Sequence, residues 1–416
     1  MVAVAPFRAL RYNLERIGDL SEVLAPPYDV ISPQEQEQLY QRSPYNIVRL
    51  IYGKEFPGDR ETSNRYTRAK ESYDVWRREE ILIRDPSPGL YLYEHRFAWH
   101  GQEFQRLGFL GILQFEGAVL DSVLRHESTF DAPKADRTKL LDAVHAHLSP
   151  IFCLYGDPSG DVHRVLQRAS EAQAPLAQAS VKEERIRFWS VTDSEAIRHV
   201  QQRLAPVKVL IADGHHRFEV ALSRRHLFGG VLCFFAWLED PALLARPIHR
   251  VVRTQHPDSS TWLARLKSVC ELQPVKDLAG IAAWLDGGEQ EKRFGLYTQG
   301  QCYRARVLPE ALTAWLGHLD APTALADLDV SVLHRLVLPT ILPLPSSTNH
   351  VIQYTPDAAE ATAMVDRQAG DCAWILRPIP LPQVFALGAQ GVTLPQKSTY
   401  FYPKVLSGLV INPFDA

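Results

Sequence analysis

Residues 207–222 read VKVLIADGHHRFEVAL, and this stretch decides the fold class. The run VKVLIA (207–212) is short and continuously apolar, the pattern of a strand buried on both faces. Asp213-Gly214 ends it, because glycine accepts the left-handed backbone of a tight turn. His215, His216 and Arg217 follow, and Phe218, Ala221 and Leu222 then fall at helical spacing. A buried strand running straight into a helix demands a sheet covered by helices.

Working outward, both kinds of element recur. Strands are expected over 3–10, 47–52, 149–155, 185–191 and 231–238. A pair over 90–97 and 104–115 flanks a turn at His100-Gly101. Ser32, Pro33 and Glu35 form a helix start, with serine as cap and proline in the first turn. A helix over 59–80 buries Tyr66, Ala69, Tyr73 and Trp76. Another over 134–148 buries Leu140, Leu141, Val144 and Leu148. Segment 169–182 reads as helix or linker, 262–272 and 357–369 as helices, and the proline-rich 338–345 as a connector. The fold class is therefore mixed α+β.

The chain has 416 residues, with 46% hydrophobic and 22% charged. These are globular proportions, and the length calls for two domains or one large domain with a satellite. Lys plus Arg total 45 against 48 Asp plus Glu, a net charge of -3. That balance argues against a protein whose task is to coat nucleic acid. The five cysteines are scattered with no C-x-x-C pair, which argues against a zinc site or a disulfide framework. No apolar run reaches membrane-spanning length, and no signal peptide is recognisable. A cytoplasmic location is expected.

Three stretches carry chemistry. In the first, Gly214 opens a helix N-terminus whose amides favour phosphate. Arg217 can fork two bonds to it, and His215 and His216 add donors or a proton relay. Asp213 suits a base or a magnesium ligand. Arg217 is expected to be partly exposed, so that alanine there removes phosphate binding at little cost in stability. In the second, His126, Glu127, Thr129, Lys134 and Arg137 supply acid, hydroxyl and cations within twelve residues. Phosphoryl transfer needs such a set. In the third, Lys397, Ser398 and Thr399 lead into the aromatic Tyr400–Tyr402 and Lys404. Walker A, dinucleotide-binding and nucleophile-elbow patterns are missing.

Seven segments together resemble one family. They are APPYDVIS (25–32), SPYNIVRL (43–50), HESTFDAPKADR (126–137), LSPIFCLY (148–155), IADGHHRFEVAL (211–222), LDVSVLHRLVL (328–338) and PQKSTYFYPK (395–404). The family is the large bacterial and archaeal domain-of-unknown-function family numbered 1015. One departure is Ala132, where the family usually has glycine; it removes backbone freedom next to Pro133.

The turn Asp213–Arg217 also resembles the motif of free-serine kinases of the ParB/sulfiredoxin-like superfamily, where it cradles nucleotide phosphates. That resemblance implies a ParB/sulfiredoxin-like phosphate-binding domain with insertions over 1–240. A C-terminal α/β domain over 241–416 would complete the site. It further implies a phosphotransferase with a small-molecule substrate, free L-serine first, and ATP, ADP or inorganic pyrophosphate as donor with Mg²⁺. His215, His216 and Arg217 would hold the donor, Lys134 and Arg137 would neutralise charge, and Glu127 or Asp213 would be the base. The alternatives are a nucleotide-binding switch without an acceptor, and a metal-dependent hydrolase built on His126, His215 and His216.

Overall fold

The computed structural model describes residues 1–127, 129, 131–254, 259–287, 291–318, 323–342, 351–395 and 397–415. The class is mixed α+β, as the 207–222 stretch requires. The chain divides into two compact units. The first comprises Met1–Arg125, Thr129–Leu244 and Pro403–Ala416; the second comprises His126–Ser128 and Ala245–Tyr402.

The first unit is built on a mixed nine-stranded sheet. Its main path runs Val123–Leu124, Val209–Asp213, Ile151–Tyr155, Gly230–Trp237, Gln102–Gln114, Leu90–Trp99, Glu184–Val191 and Ala177–Val181, with Val4–Ala5 paired to Gln102–Gln114. The apolar runs are the central strands: every residue of Ile151–Tyr155 is buried, as are Val209 to Ala212. Phe109 and Phe235 stack at 5.0 Å in the core, where Cys153, Ile211 and Cys233 also lie. Helices Asp161–Glu171 and Ser194–Leu204 press Val162, Leu166, Ile197 and Val200 onto that core.

The long hairpin closes as its sequence foretells. Trp99 pairs with Gln102, and the two residues between them, His100 (φ 48°) and Gly101 (φ 77°), are both left-handed. Two positive φ values make the primed turn whose twist suits a hairpin.

Several boundaries differ from the sequence reading. Residues 47–52 hold a short helix, Val48–Ile51, instead of a strand. The Asn46 carboxamide accepts the Val48 amide at 3.0 Å and so starts the turn, a side-chain event invisible to a pattern of apolar residues. The helix sought over 59–80 starts only at Arg65, where Asn64 and Thr67 form a reciprocal cap. The helix sought over 134–148 spans Asp131–Val144; the left-handed His145 stops it, and Ala146–His147 pairs with Asn412–Pro413. Segment 169–182 divides into a helix end and the strand Ala177–Val181. The 3–10 strand is two short ones, Val4–Ala5 and Leu10–Tyr12. The 262–272 helix is Ser259–Leu266 followed by a strand from Cys270. The expected connector opens with the turn Leu338–Thr340, and residues 343–345 lie outside the described residues.

The second unit carries an antiparallel six-stranded sheet. Its order is Cys270–Val275, Gln301–Val307, Arg293–Thr298, Cys372–Ile375, His249–Val252 and Ile352–Thr355. Helices Leu278–Leu285 and Ala358–Asp366 cover one face through Ile281, Leu285, Ala361 and Val365, against Val251, Ala373 and Ile375.

The first sheet contains a position that tests its packing. A Cβ on Gly108 would strike the Phe234 ring and the Phe235 carbonyl. Gly108→Ala should destabilise the chain by about 1–3 kcal/mol through overpacking, read from the denaturant midpoint. An unchanged midpoint would mean that the two strands can separate at no cost.

Candidate functional site

The Asp213 turn is built by backbone first. The register between Val209–Asp213 and Ile151–Tyr155 shifts between Ile211 and Asp213. Such irregularities at strand ends re-aim side chains. Gly214 follows at φ 92°, and a Cβ there would lie 2.9 Å from the Arg217 guanidinium. Glycine is therefore demanded twice, by conformation and by the closeness of Arg217. The helix His215–Ser223 then begins with no side-chain cap.

Both oxygens of Asp213 hold cations. Arg217 Nη2 donates to Oδ2 at 2.8 Å, and Lys404 Nζ contacts Oδ1. Arg217 also donates to the Pro150 carbonyl. Arg217 is partly exposed, as expected, with its side chain at 13%; its two anchors make a stability cost on removal the expected outcome. One carboxylate between two cations leaves net positive charge at the start of a helix, where the dipole adds more.

His215 is buried, and burial pushes its imidazole down to about 3, with Asp213 pulling the other way. It is neutral at physiological pH. His216 is half-buried beside it.

Arg137 comes to the same place from the second stretch. It is buried, lies 3.9 Å over the Tyr28 ring, and donates to Asp136 at 2.6 Å and to the Ile51 carbonyl at 2.8 Å. Asp136 also accepts from Tyr66 at 2.7 Å and from Arg65. Burial would raise this carboxyl, but Arg137, Tyr66 and Arg65 together hold it below its usual range. Burial drives the Tyr28 phenol up to about 12, while Arg137 and Arg217 both pull it down. Arg137 and Arg217 line one small cleft of about 50 Å³ with Leu140, Leu141 and Val220. The cleft itself has room for little more than water. Thr129 donates to Glu219 at 2.6 Å, and Lys134 lies 3.6 Å from the same oxygen and 3.1 Å from Asp131. Glu219 sits on the helix that begins at His215, so this helix gathers residues from both stretches.

The second unit holds its own cluster. His126 is fully buried with Nε2 3.0 Å from the Thr399 hydroxyl. Glu127 accepts the Lys397 amide at 3.2 Å. Lys397 is left-handed (φ 54°), and its carbonyl accepts from Arg250 at 2.9 Å. Arg250 in turn donates to His334 at 3.0 Å. Burial lowers Arg250 to about 10 and His334 to about 3, so His334 is a neutral acceptor. Ser398 donates to the Pro395 carbonyl.

The structure adds Tyr28, Arg65, Asp136 and Glu219 to the first cluster, brings Lys404 of the third stretch to it, and adds Arg250 and His334 to the second. Tyr28, Asp136, Glu219 and His334 lie inside recognised segments, so their neighbourhood was visible though their contacts were not. Arg65 and Arg250 carry no sequence signal.

Among the described residues no group of three or more His, Cys, Asp or Glu is arranged to hold a metal ion. The Asp213 oxygens face two cations, so the donor set does not fit a preformed magnesium cage. Magnesium in such a site would be carried by the phosphates themselves. No described helix is long and apolar enough to cross a membrane.

The family model described as "Protein of unknown function (DUF1015)" matches residues 4–331. The chain belongs to this family. The match includes Tyr28, Thr129–Arg137 and Asp213–Arg217, whereas Lys397–Lys404 lies beyond it. No curated protein matches the chain in sequence. Among solved structures, a conserved hypothetical protein from Pyrococcus furiosus is similar at 14% identity and TM-score 0.35, covering 69% of this chain and 90% of that one. A free serine kinase in complex with AMP gives 14% and 0.35, covering 68% and 84%. SbnI with C-terminal truncation from Staphylococcus aureus gives 11% and 0.37, covering 72% and 86%. Likeness this loose carries no argument about chemistry.

Two measurements check this geometry. Arg217→Ala strips a donor from Pro150 and Asp213 and should cost about 1–3 kcal/mol in unfolding free energy. A cost near zero would mean the contacts are not formed in solution. The second concerns acidity. His147, His215 and His334 are all lowered to about 3 by burial. An unfolded chain protonates them near 6.5, so protons bind the unfolded state first as pH falls. Stability is full above that value and declines toward pH 3, by about 1.4 kcal/mol per pH unit for each such histidine. His215→Gln should flatten this slope by one histidine's share in urea titrations at stepped pH. An unaltered slope would show that His215 takes up its proton in the folded chain.

Proposed function

We propose that the chain is a small-molecule phosphotransferase that moves a phosphoryl group to a hydroxyl acceptor. Free L-serine is the preferred acceptor, and ATP, ADP or inorganic pyrophosphate the donor. One observation supports this above the rest. Arg217 and Lys404 meet on Asp213 at a helix start opened by left-handed Gly214, and Arg137 shares a cleft with Arg217. Helix amides and clustered guanidinium and ammonium groups favour phosphate.

In this reading Gly214 and the first helical turn, with His216, receive the donor phosphates. Arg217 and Lys404 screen their charge, with Asp213 fixing both cations. Neutral His215 supports the turn from beneath. Arg137 and Lys134 face the group in flight, and Thr129 is oriented by Glu219. The acceptor oxygen bonds to phosphorus as the bond to the leaving oxygen breaks, and the hydroxyl proton passes to a carboxylate. Both Asp213 oxygens hold cations, so Asp213 is better suited to fixing them than to taking the proton. Within the second unit, the Lys397–Thr399 turn, with left-handed Lys397, two hydroxyls and His126, is a separate candidate for binding phosphate. Any magnesium contributes charge neutralisation on the phosphates.

The test is purified protein with L-serine, magnesium and each donor in turn, assayed for phosphoserine. At least one donor should give product. Arg137→Ala and Arg217→Ala should each lower kcat/KM by about 10²–10³-fold, the usual effect of deleting a charge-stabilising donor. Tight nucleotide binding with no phosphoserine from any donor would replace the kinase by a nucleotide-binding switch.

A further inference from the structure

A second polar cavity, of about 490 Å³, lies in the first unit and shares no residue with the clusters above. Helix Asp161–Glu171 forms one wall through His163, Gln167 and Glu171, spaced by four residues along one stripe. The facing wall is the sheet. Leu107 pairs with Glu94, and Glu94 with Arg187, so these three stand in one row across adjacent strands. Asp240 continues the row beyond the end of Gly230–Trp237.

The two ends differ in charge. At one end Asp240 is 6% exposed. Its Oδ1 accepts the Ala242 amide at 2.8 Å, and among the described residues nothing hydrogen-bonds Oδ2. Burial raises this carboxyl, while the Ala242 amide, His163, Arg106 and the Leu107 amide pull it down. The His163 ring stacks on Trp237 at 5.0 Å, and its Nδ1 is likewise buried with no hydrogen-bond partner among the described residues. At the other end Glu94, 3% exposed, accepts two bonds from Arg187 at 2.7 and 2.6 Å and one from Arg96 Nε at 2.9 Å. Two guanidinium groups on one carboxylate leave a positive charge there. The terminal nitrogens of Arg96 make no bond among the described residues, and the side chain is 47% exposed. Glu171 is exposed at the helix end and accepts from Gln167 at 2.9 Å.

We propose that this cavity binds a small linear zwitterion, its ammonium on Asp240 Oδ2 beside the Trp237–His163 wall and its carboxylate on the Arg96 guanidinium. A buried carboxylate oxygen without a donor is costly, and an ammonium removes that cost while an aromatic wall favours it. A guanidinium fork suits a carboxylate. Two strand spacings separate Gly230–Trp237, which leads into Asp240, from the strand carrying Arg96, roughly 10 Å. Charges of opposite sign at the two ends of that span suit a ligand with its charges at opposite tips rather than on one α-carbon. This site is independent of the phosphotransferase reading.

Isothermal titration with ε-aminocaproate tests it, with hexylamine and hexanoate as single-charge controls and γ-aminobutyrate as a shorter zwitterion. The wild-type chain should bind ε-aminocaproate more tightly than any control. Asp240→Asn and Arg96→Ala should each weaken it about tenfold or more. Arg96 is exposed, so its variant keeps the fold, and thermal melts of both proteins verify this. Failure of ε-aminocaproate to bind, equal binding of hexylamine or hexanoate, or unchanged affinity in Arg96→Ala would each overturn the assignment.

Discussion

The carboxylate of Asp213 holds three separate parts of the chain in one place. It ends a central strand, clasps Arg217 one helical turn later, and clasps Lys404, which is 191 residues away in sequence. Removing it would take their shared counter-charge from two cations, each about one-tenth exposed. Like charges brought together in a half-buried site repel strongly. The register shift before Asp213 and the left-handed Gly214 after it are the backbone adjustments that let this clasp form. The chemistry proposed for the turn needs those cations fixed rather than mobile, because preorganised charge acts without reorganisation cost.

The fold class was legible because 207–222 and the 90–115 hairpin obey simple rules. A continuous apolar run gives a buried strand, and a two-residue turn gives a hairpin. The helix over 48–51 was not legible. Its apolar residues are all buried, so they show no helical stripe, and its start depends on the Asn46 side chain. Helix ends failed for the same reason at Asn64 and His145, where one residue's side-chain bond or left-handed backbone decides the boundary.

The candidate site was legible as segments and not as contacts. Asp213, Arg217, Thr129, Lys134 and Arg137 were found by their chemistry, but the sequence has no means of showing that Glu219 joins Thr129 to Lys134. Nor does it show that Tyr28 lies under Arg137, or that Arg250 reaches the Lys397 carbonyl. These are pairings across 90, 109 and 147 residues, and no periodicity encodes them. The signal available was weaker: Tyr28 and Lys404 stand within segments already recognised as belonging together.

Lys404 reaches Asp213 across 191 residues of sequence, next to a segment that also pairs Ser407 with Ala25 and Ile411 with Leu10. Synthesis runs from the N-terminus, so the central strands and the 215–223 helix emerge long before their second cation does. A chain interrupted upstream of residue 404 would carry most of the sheet with an incompletely clasped Asp213. Contacts of such sequence separation form late, because loop closure costs entropy before they reward it. The turn therefore acquires its full charge pattern late in folding, when a residue 191 positions further along reaches Asp213.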